Sequence, residues 1–235
     1  MDIKRFPQLD HEEFTEACHY LDRQYCQAKL GSVRRQWKMS LCTSLDLTSQ
    51  FPSGQSSYIQ IIRPLETPND DLNLLSTMKG FSFSETGGEG EGTSTDDDMI
   101  EAEEADMHVI ERRPSHSDVG YVTYEIHLHP TYQVPCLWFS LHGLPPDEPA
   151  FNIDTVFRRL VPDEYKSGLR QGIGGIGGIS ADHHPITGIP TFFIHPCLLG
   201  DAITPFNCTR ENYLTIWLGL VGGCVGLWVP KEMVS

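Results

Sequence analysis

The sequence predicts an α+β fold, and three features carry the prediction. A capped amphipathic helix opens the chain, two strands later form a hairpin across a link too short for a crossover, and a helix follows that hairpin instead of separating parallel strands. A length of 235 residues suits one domain with an insertion, or at most two small ones.

The opening helix is the best signalled element. Asp10 is placed to cap it, Glu13 stands three residues on as a capping box, and Leu9 and Phe14 have the spacing of a hydrophobic staple. Its buried stripe is then Phe14, Ala17, Cys18, Leu21 and Tyr25. QWKMSLCTSLDL and SYIQIIRP read as two strands joined through Pro52, Ser53 and Gly54 and closed by Pro64. YVTYEIHLHP alternates, with Val122, Tyr124, Ile126 and Leu128 on one face and Tyr121, Thr123, Glu125 and His127 on a more exposed one. QVPCLWFSLHG is its hairpin partner across residues 130–133, with Cys136 packed in the strand. NIDTVFRRLV is helical, with Asp154 near its start.

Between β-forming segments lies ETGGEGEGTSTDDDMIEAEEAD, residues 85–106, with ten acidic residues and no Lys or Arg. The formal charge of −15 is therefore mostly local. So polar a stretch cannot bury enough surface to offset its ordering entropy, and the sequence predicts a flexible acidic insertion over residues 80–118 within a single domain spanning 1–235. Its function is either solvation or electrostatic contact with a partner. GIGGIG, residues 172–177, satisfies G-x-G-x-x-G but follows a helical stretch and lacks the βαβ unit and acidic ribose contact. It reads as a connector, and no cofactor is expected. Residues 213–229, YLTIWLGLVGGCVGLWV, are at the short limit for a bilayer span and hold four glycines, so they read as a core helix running into a strand or loop. Seven irregularly spaced cysteines and an N-terminus without an apolar run predict a reduced, cytoplasmic chain without a transmembrane segment. No nucleic-acid partner is expected.

The stretch TFFIHPCLLG, residues 191–200, sets a thiol beside a proline after an apolar run. With TFFI as a strand, His195 and Cys197 point the same way and Pro196 ends the ladder, which presents the thiol at a sheet edge. No metal is expected, because there is no C-x-x-C, His183 and His184 are adjacent, and no four-ligand set assembles locally. A phosphatase loop would need a basic residue that LLGDAITP does not hold. A cysteine hydrolase would need a base at the sulfur, whereas two same-face strand residues stand ~7 Å apart.

IPTFFIHPC, with YEIHLHPTYQVPCLWFSL upstream and YLTIWLGLVGGCVGLWVP downstream, resembles the autophagy E2-like conjugating enzymes across residues 121–230. The resemblance implies an E2-like fold around an antiparallel sheet of about four strands flanked by helices. It implies that Cys197 accepts a ubiquitin-like protein as a thioester and passes it to an acceptor lysine. The partners so implied are an E1-like activating enzyme of the autophagy-related protein seven type, a ubiquitin-like protein of the protein twelve type and an acceptor of the protein five type, working in the cytoplasm and transiently at the forming autophagosome. The lipid-conjugating protein three type is the alternative. This chain departs from it in its acidic, staple-capped first helix and in Trp217-Leu218-Gly219 where that type carries Phe-Leu-Lys. A catalytically silent binding module with a structural cysteine is a further alternative. Thioester exchange needs a partly ionised thiol that is also a fair leaving group, which the ordinary cysteine value of ~8.5 serves in both directions. Ordinary E2 enzymes place an oxyanion-donating Asn after His-Pro, where this chain has Cys197; His195 is the nearest substitute, either as oxyanion donor or as a ring that shapes the loop through the backbone.

Overall fold

A computed structural model describes residues 3–45, 55–65, 120–171 and 178–234. The chain opens with α1 (His11–Gln27) and the short α2 (Val33–Gln36), followed by β1 (Lys38–Leu45), β2 (Gln55–Pro64), β3 (Tyr121–Leu128) and β4 (Pro135–His142). Then come α3 (Ile153–Arg159), α4 (Asp163–Gln171), β5 (Ile179–His183), β6 (Pro190–Ile194), α5 (Leu199–Ile203) and α6 (Tyr213–Val221). The strands form one sheet in the order β1-β2-β3-β4-β6-β5, each neighbouring pair antiparallel. The architecture is α+β as expected, but the sheet has six strands where about four were implied: TFFI joins as β6, and ISADH, which carried no strand signal, forms β5 at the edge. The acidic insertion at 80–118, the GIGGIG connector and the turn at Pro52, Ser53 and Gly54 lie outside the described residues.

The first helix forms as its sequence dictates. Asp10 Oδ1 accepts from the Glu13 N–H at 2.8 Å and Glu13 Oε2 accepts from the Asp10 N–H at 3.1 Å, a reciprocal capping box worth about 1 kcal/mol to the helix. Leu9 and Phe14 are both buried beside it, and the predicted stripe faces the core. Glu13 is buried as well, a polar group the stripe did not include; it stays soluble in the core by also accepting from the Lys4 N–H and from Arg210 Nη2.

One face of the sheet packs on α1 and α6. Ile59, Ile61, Tyr124, Ile126 and Phe139 meet Phe14, Leu21, Leu214 and Trp217 in a single core. The apolar 213–229 segment belongs here: after Val221 the chain tightens into a 3-10 turn, Gly222–Val225, which Gly226 closes at φ 71°, and Gly222 has to be glycine because a Cβ would lie 2.2 Å from the Leu227 carbonyl oxygen. Tyr124 Oη donates to the Val225 carbonyl at 2.6 Å and locks this turn to β3. Among the described residues no helix is long and apolar enough to cross a membrane.

The strands flanking the insertion are already joined where it leaves and re-enters the sheet. Pro64 pairs with Tyr121, and the Leu65 N–H donates to the Gly120 carbonyl at 2.8 Å. Deleting residues 85–106 should therefore leave a cooperative thermal transition within a few degrees of the intact chain, measured by scanning calorimetry or fluorescence. A loss of cooperativity would mean that the acidic segment contributes to the core.

Candidate active site

Cys197 sits in a 3-10 turn, Pro196–Leu198, between β6 and α5. The strand ends at Ile194, as TFFI implies, but the chain turns at once instead of staying extended, so His195 and Cys197 are not same-face neighbours. The reason lies in Pro196: its fixed φ suits the first position of a helical turn as well as it ends a ladder, and here it starts the turn. His195 is the N-cap of that turn, and its Nδ1 accepts from the Cys197 backbone N–H at 3.2 Å. In the neutral ring the proton is then on Nε2, which remains a donor. The ~7 Å separation of a strand does not apply, and the imidazole is committed to the cysteine's backbone.

The turn is held from both sides. The His195 N–H donates to the Gly178 carbonyl at 2.9 Å, Cys136 Sγ reaches the Ile194 carbonyl at 3.4 Å, and Leu199 behind the turn is buried. The β3–β4 link supports it in front: His129 Nδ1 accepts from the N–H groups of Thr131 and Tyr132, the Tyr132 ring meets His129 edge-on at 4.9 Å, and it meets His195 edge-on at 5.7 Å. The sequence marks residues 130–133 only as a turn; the His129–Tyr132–His195 ring contacts have no signal in spacing. The Leu9 N–H donates to the Gln133 carbonyl at 2.7 Å, which ties the entry to α1 to the same link.

All seven thiols are free, and only Cys26 and Cys197 are exposed. Burial pushes the Cys18 and Cys136 thiols well above their ordinary value and Cys224 up to about 12, so these three behave as core atoms, as expected for the first two. Cys42 and Cys208 are half-buried and shifted upward by burial too. Cys26 lies in the last turn of α1. Cys197 combines exposure with a turn capped by a histidine.

The described residues also assemble a three-donor set that the sequence did not join: Glu125 and His127 on β3 with His184 after β5, their ligand atoms all within 4.8 Å. The two Nε2 atoms each lie 2.9 Å from Glu125 Oε2, and Gln60 Nε2 donates to Glu125 Oε1 at 3.0 Å. His127 is buried, contrary to its predicted exposed face, because the Tyr58 ring stacks on it at 4.6 Å and His184 meets it edge-on. His184 Nδ1 accepts from the N–H groups of Ile186 and Thr187, which fixes its proton on Nε2 towards Glu125. A metal on that nitrogen would drive the proton onto Nδ1, against two N–H groups. The set is therefore arranged as a hydrogen-bond network holding the β5–β6 turn to β3, not as a metal-ligand set.

With this geometry established, likeness to known proteins becomes informative. The family described as "Autophagocytosis associated protein, active-site domain" matches residues 13–232. The ubiquitin-like-conjugating enzyme ATG10 of Gibberella zeae is 62% identical over 233 residues, 99% of both chains. The enzyme of the same name from Homo sapiens is 33% identical over 131 residues, 53% of this chain and 57% of that one. That of Arabidopsis thaliana is 28% identical over 156 residues, 63% and 67% respectively. A crystal structure of the autophagic E2 Atg10 aligns over 94% of this chain and 98% of its own with a TM-score of 0.40 and 11% identity, too distant a likeness to establish the fold.

The Glu125 network gives the fold a pH dependence of definite sign. Burial lowers His127 below its ordinary value, and Glu125 opposes this only in part. Burial disfavours the Glu125 anion, but hydrogen bonds from His127, His184 and Gln60 outweigh it and hold the carboxyl well below the usual range. Both groups take up protons more readily unfolded, so the stability they contribute is present above their unfolded values and lost as pH falls, starting for His127 near ~6.5. Burial shifts His129 and His142 the same way. The melting temperature should fall between pH ~7.5 and ~5.5, and less steeply in His127→Gln. A flat profile over that interval would contradict the buried neutral assignment.

Proposed function

We infer the chemistry of this chain from the family to which it belongs, the autophagocytosis-associated proteins with an active-site domain: it is an E2-like ubiquitin-like-conjugating enzyme of autophagy that carries its cargo on Cys197. The observation that carries the assignment of the residue is the exposure of Cys197 on a His195-capped turn inside the matched residues 13–232, while the thiols of the core are buried and the other exposed thiol, Cys26, lies in the last turn of α1 and not in a histidine-capped turn. The finer reading is that the E1-like partner is of the autophagy-related protein seven type, the ubiquitin-like protein of the protein twelve type, and the acceptor a lysine of a protein five type, in the cytoplasm and transiently at the forming autophagosome. Likeness to three relatives that all carry the name ATG10, one of them over 99% of both chains, supports this reading over the lipid-conjugating one.

In the proposed reaction the Cys197 thiolate attacks the thioester carbonyl of the activated ubiquitin-like protein on its E1-like carrier. The carbon–sulfur bond to the carrier breaks and the carrier's thiolate leaves. The acceptor lysine amine then attacks the new thioester, loses its proton to solvent, and expels the Cys197 thiolate. Both steps pass through a tetrahedral oxyanion. The Cys197 N–H is engaged by His195, so the donor the turn can offer is His195 Nε2–H.

Replacing the sulfur by oxygen should stop turnover, because an alkoxide leaves poorly and an oxyester resists an amine. Incubation with E1-like enzyme, ATP and ubiquitin-like protein, read on a non-reducing gel, should show a reductant-labile adduct on the native chain. Cys197→Ser should show none, or one that survives reductant. Cys26→Ser should keep the labile adduct, and its loss in a well-folded protein would move the site.

His195→Ala should slow discharge of a preformed thioester to the acceptor more than it slows loading, with removal of one oxyanion donor costing on the order of 3 kcal/mol, or roughly a hundredfold. His195→Asp retains an acceptor for the Cys197 N–H but no donor, so it separates the two roles. Single-turnover discharge at native speed in His195→Asp would leave His195 with the cap alone.

A further inference from the structure

The outer face of the sheet, opposite α1 and α6, is not flat. β4 and β6 are paired at Trp138↔Phe193 and Phe139↔Phe192 and no further. The same register would next oppose Ser140 to Thr191 and Leu141 to Pro190, and Pro190 has no N–H to offer. Beyond the last pair the strands part, and a groove of about 470 Å³ opens between them. Its walls are mainly aromatic and aliphatic: Tyr121, Trp138 and Ile189 line it, and so, at the gap between the strands, do the core-side Phe192 and Phe151, which stacks on Phe192 at 4.8 Å. Phe151 is 55% exposed and Ile189 62%, large apolar side chains left in water at its rim. Among the described residues lining it, Glu125 is the one carboxylate, and none is Lys or Arg.

We propose that this groove docks a segment of a partner protein presenting an arginine or lysine between apolar side chains, its cationic head on Glu125 and its apolar neighbours on Phe151 and Ile189. The Glu125 carboxylate holds four acceptor positions. Both on Oε2 are taken by His127 and His184 and one on Oε1 by Gln60, which leaves one on Oε1 for an incoming donor. His184, accepting at Nδ1, and the Gln60 amide donate without carrying charge, and burial lowers His127, so the three orient the negative charge without cancelling it. A cation with an apolar stem gains from both parts of the groove, the head from the carboxylate and the aromatic faces, the stem from the walls. An anionic or purely apolar segment would instead desolvate the Glu125 charge further without bringing a cation to it. The inference does not rest on the thioester chemistry, since it concerns only this face of the sheet.

The test uses the full chain and blocked tripeptides: acetyl-Leu-Arg-Leu-amide, its citrulline counterpart, and its glutamate counterpart. The readout is the indole N–H resonance of Trp138, assigned by its disappearance in Trp138→Phe. The arginine peptide should shift it saturably, with Kd of about a millimolar or below, and the citrulline peptide should bind at least ~10-fold more weakly. Raising salt from ~20 to ~500 mM should reduce the difference. Glu125→Gln should abolish the arginine preference, and Phe151→Ser should weaken both peptides. The proposal is overturned by the absence of a saturable shift with the arginine peptide, by equal affinity for arginine and citrulline, by preference for glutamate, or by an arginine preference that survives Glu125→Gln. If Glu125→Gln fails to melt cooperatively, the arginine and citrulline titrations of the native chain decide the matter alone.

Discussion

The position of Cys197 depends on a ladder of two residue pairs. The β5–β6 hairpin joins the rest of the sheet through Trp138↔Phe193 and Phe139↔Phe192, one pair on each face. Each pair is reinforced by ring contact, at 4.6 Å for Trp138 with Phe193 on the outer face and 6.0 Å for Phe139 with Phe192 on the core side. Aromatic pairs of this kind add about 0.5–1.5 kcal/mol each beyond their buried area. The backbone leaves this junction at Ile194 and turns at once through His195, Pro196 and Cys197. A thiol so close to a clamped strand end inherits little of the freedom of a loop, although it remains open to solvent. The same brevity of pairing lets β4 and β6 part on the other side and opens the groove, so two surface features come from one constraint.

Much of this was legible because local chemistry and tertiary packing agree. Asp10 and Glu13 specify a capping box whatever surrounds them, and the alternation of β3 matches a sheet with one face on the core. The parts that escaped were those where local signals are degenerate. Residues 179–183 are half-exposed or exposed along their whole length, so ISADH shows neither an apolar run nor a clean alternation, and its strand exists because β6 offers it an edge. Pro196 carries the same φ whether it ends a strand or starts a 3-10 turn, so sequence alone could not separate the two placements of Cys197. His127 alternates onto the polar face, yet Tyr58 and His184, one from β2 and one from beyond β5, close over it. That burial is a product of topology, with partners distant in the chain.

The two faces of the sheet solve the burial problem differently. On the core side, Tyr124 and Tyr213 are fully buried aromatics whose hydroxyls each find a backbone carbonyl, Val225 and Pro7, both at 2.6 Å, so these two rings enter the interior without an unpaired hydroxyl. On the outer side a carboxylate and two imidazoles are partly or fully covered and satisfied mutually, which joins β2 and β3 to the β5–β6 turn. Such a network contributes less through net attraction than through the penalty for breaking it, since removing one member strands the others in a region water reaches poorly. It therefore fixes the start of β6 as the aromatic pairs fix its end.

On the proposed chemistry, this arrangement suits thioester transfer better than hydrolysis. A hydrolase must hold a base against its nucleophile, whereas an enzyme that receives and releases the same acyl group needs a sulfur that attacks and departs with comparable ease. A strong base bonded to the thiol would upset that balance, because a thiolate stabilised there departs more readily but attacks less readily. The one imidazole adjacent to Cys197 is turned away from that role: His195 Nδ1 accepts from the cysteine backbone N–H, and the nitrogen that could have served as base is occupied. What remains available is an N–H donor, useful to an oxyanion and of no use for removing a proton from sulfur. The geometry beside the thiol thus disfavours general-base activation and favours positioning, which is the division of labour that transfer between two large protein partners requires.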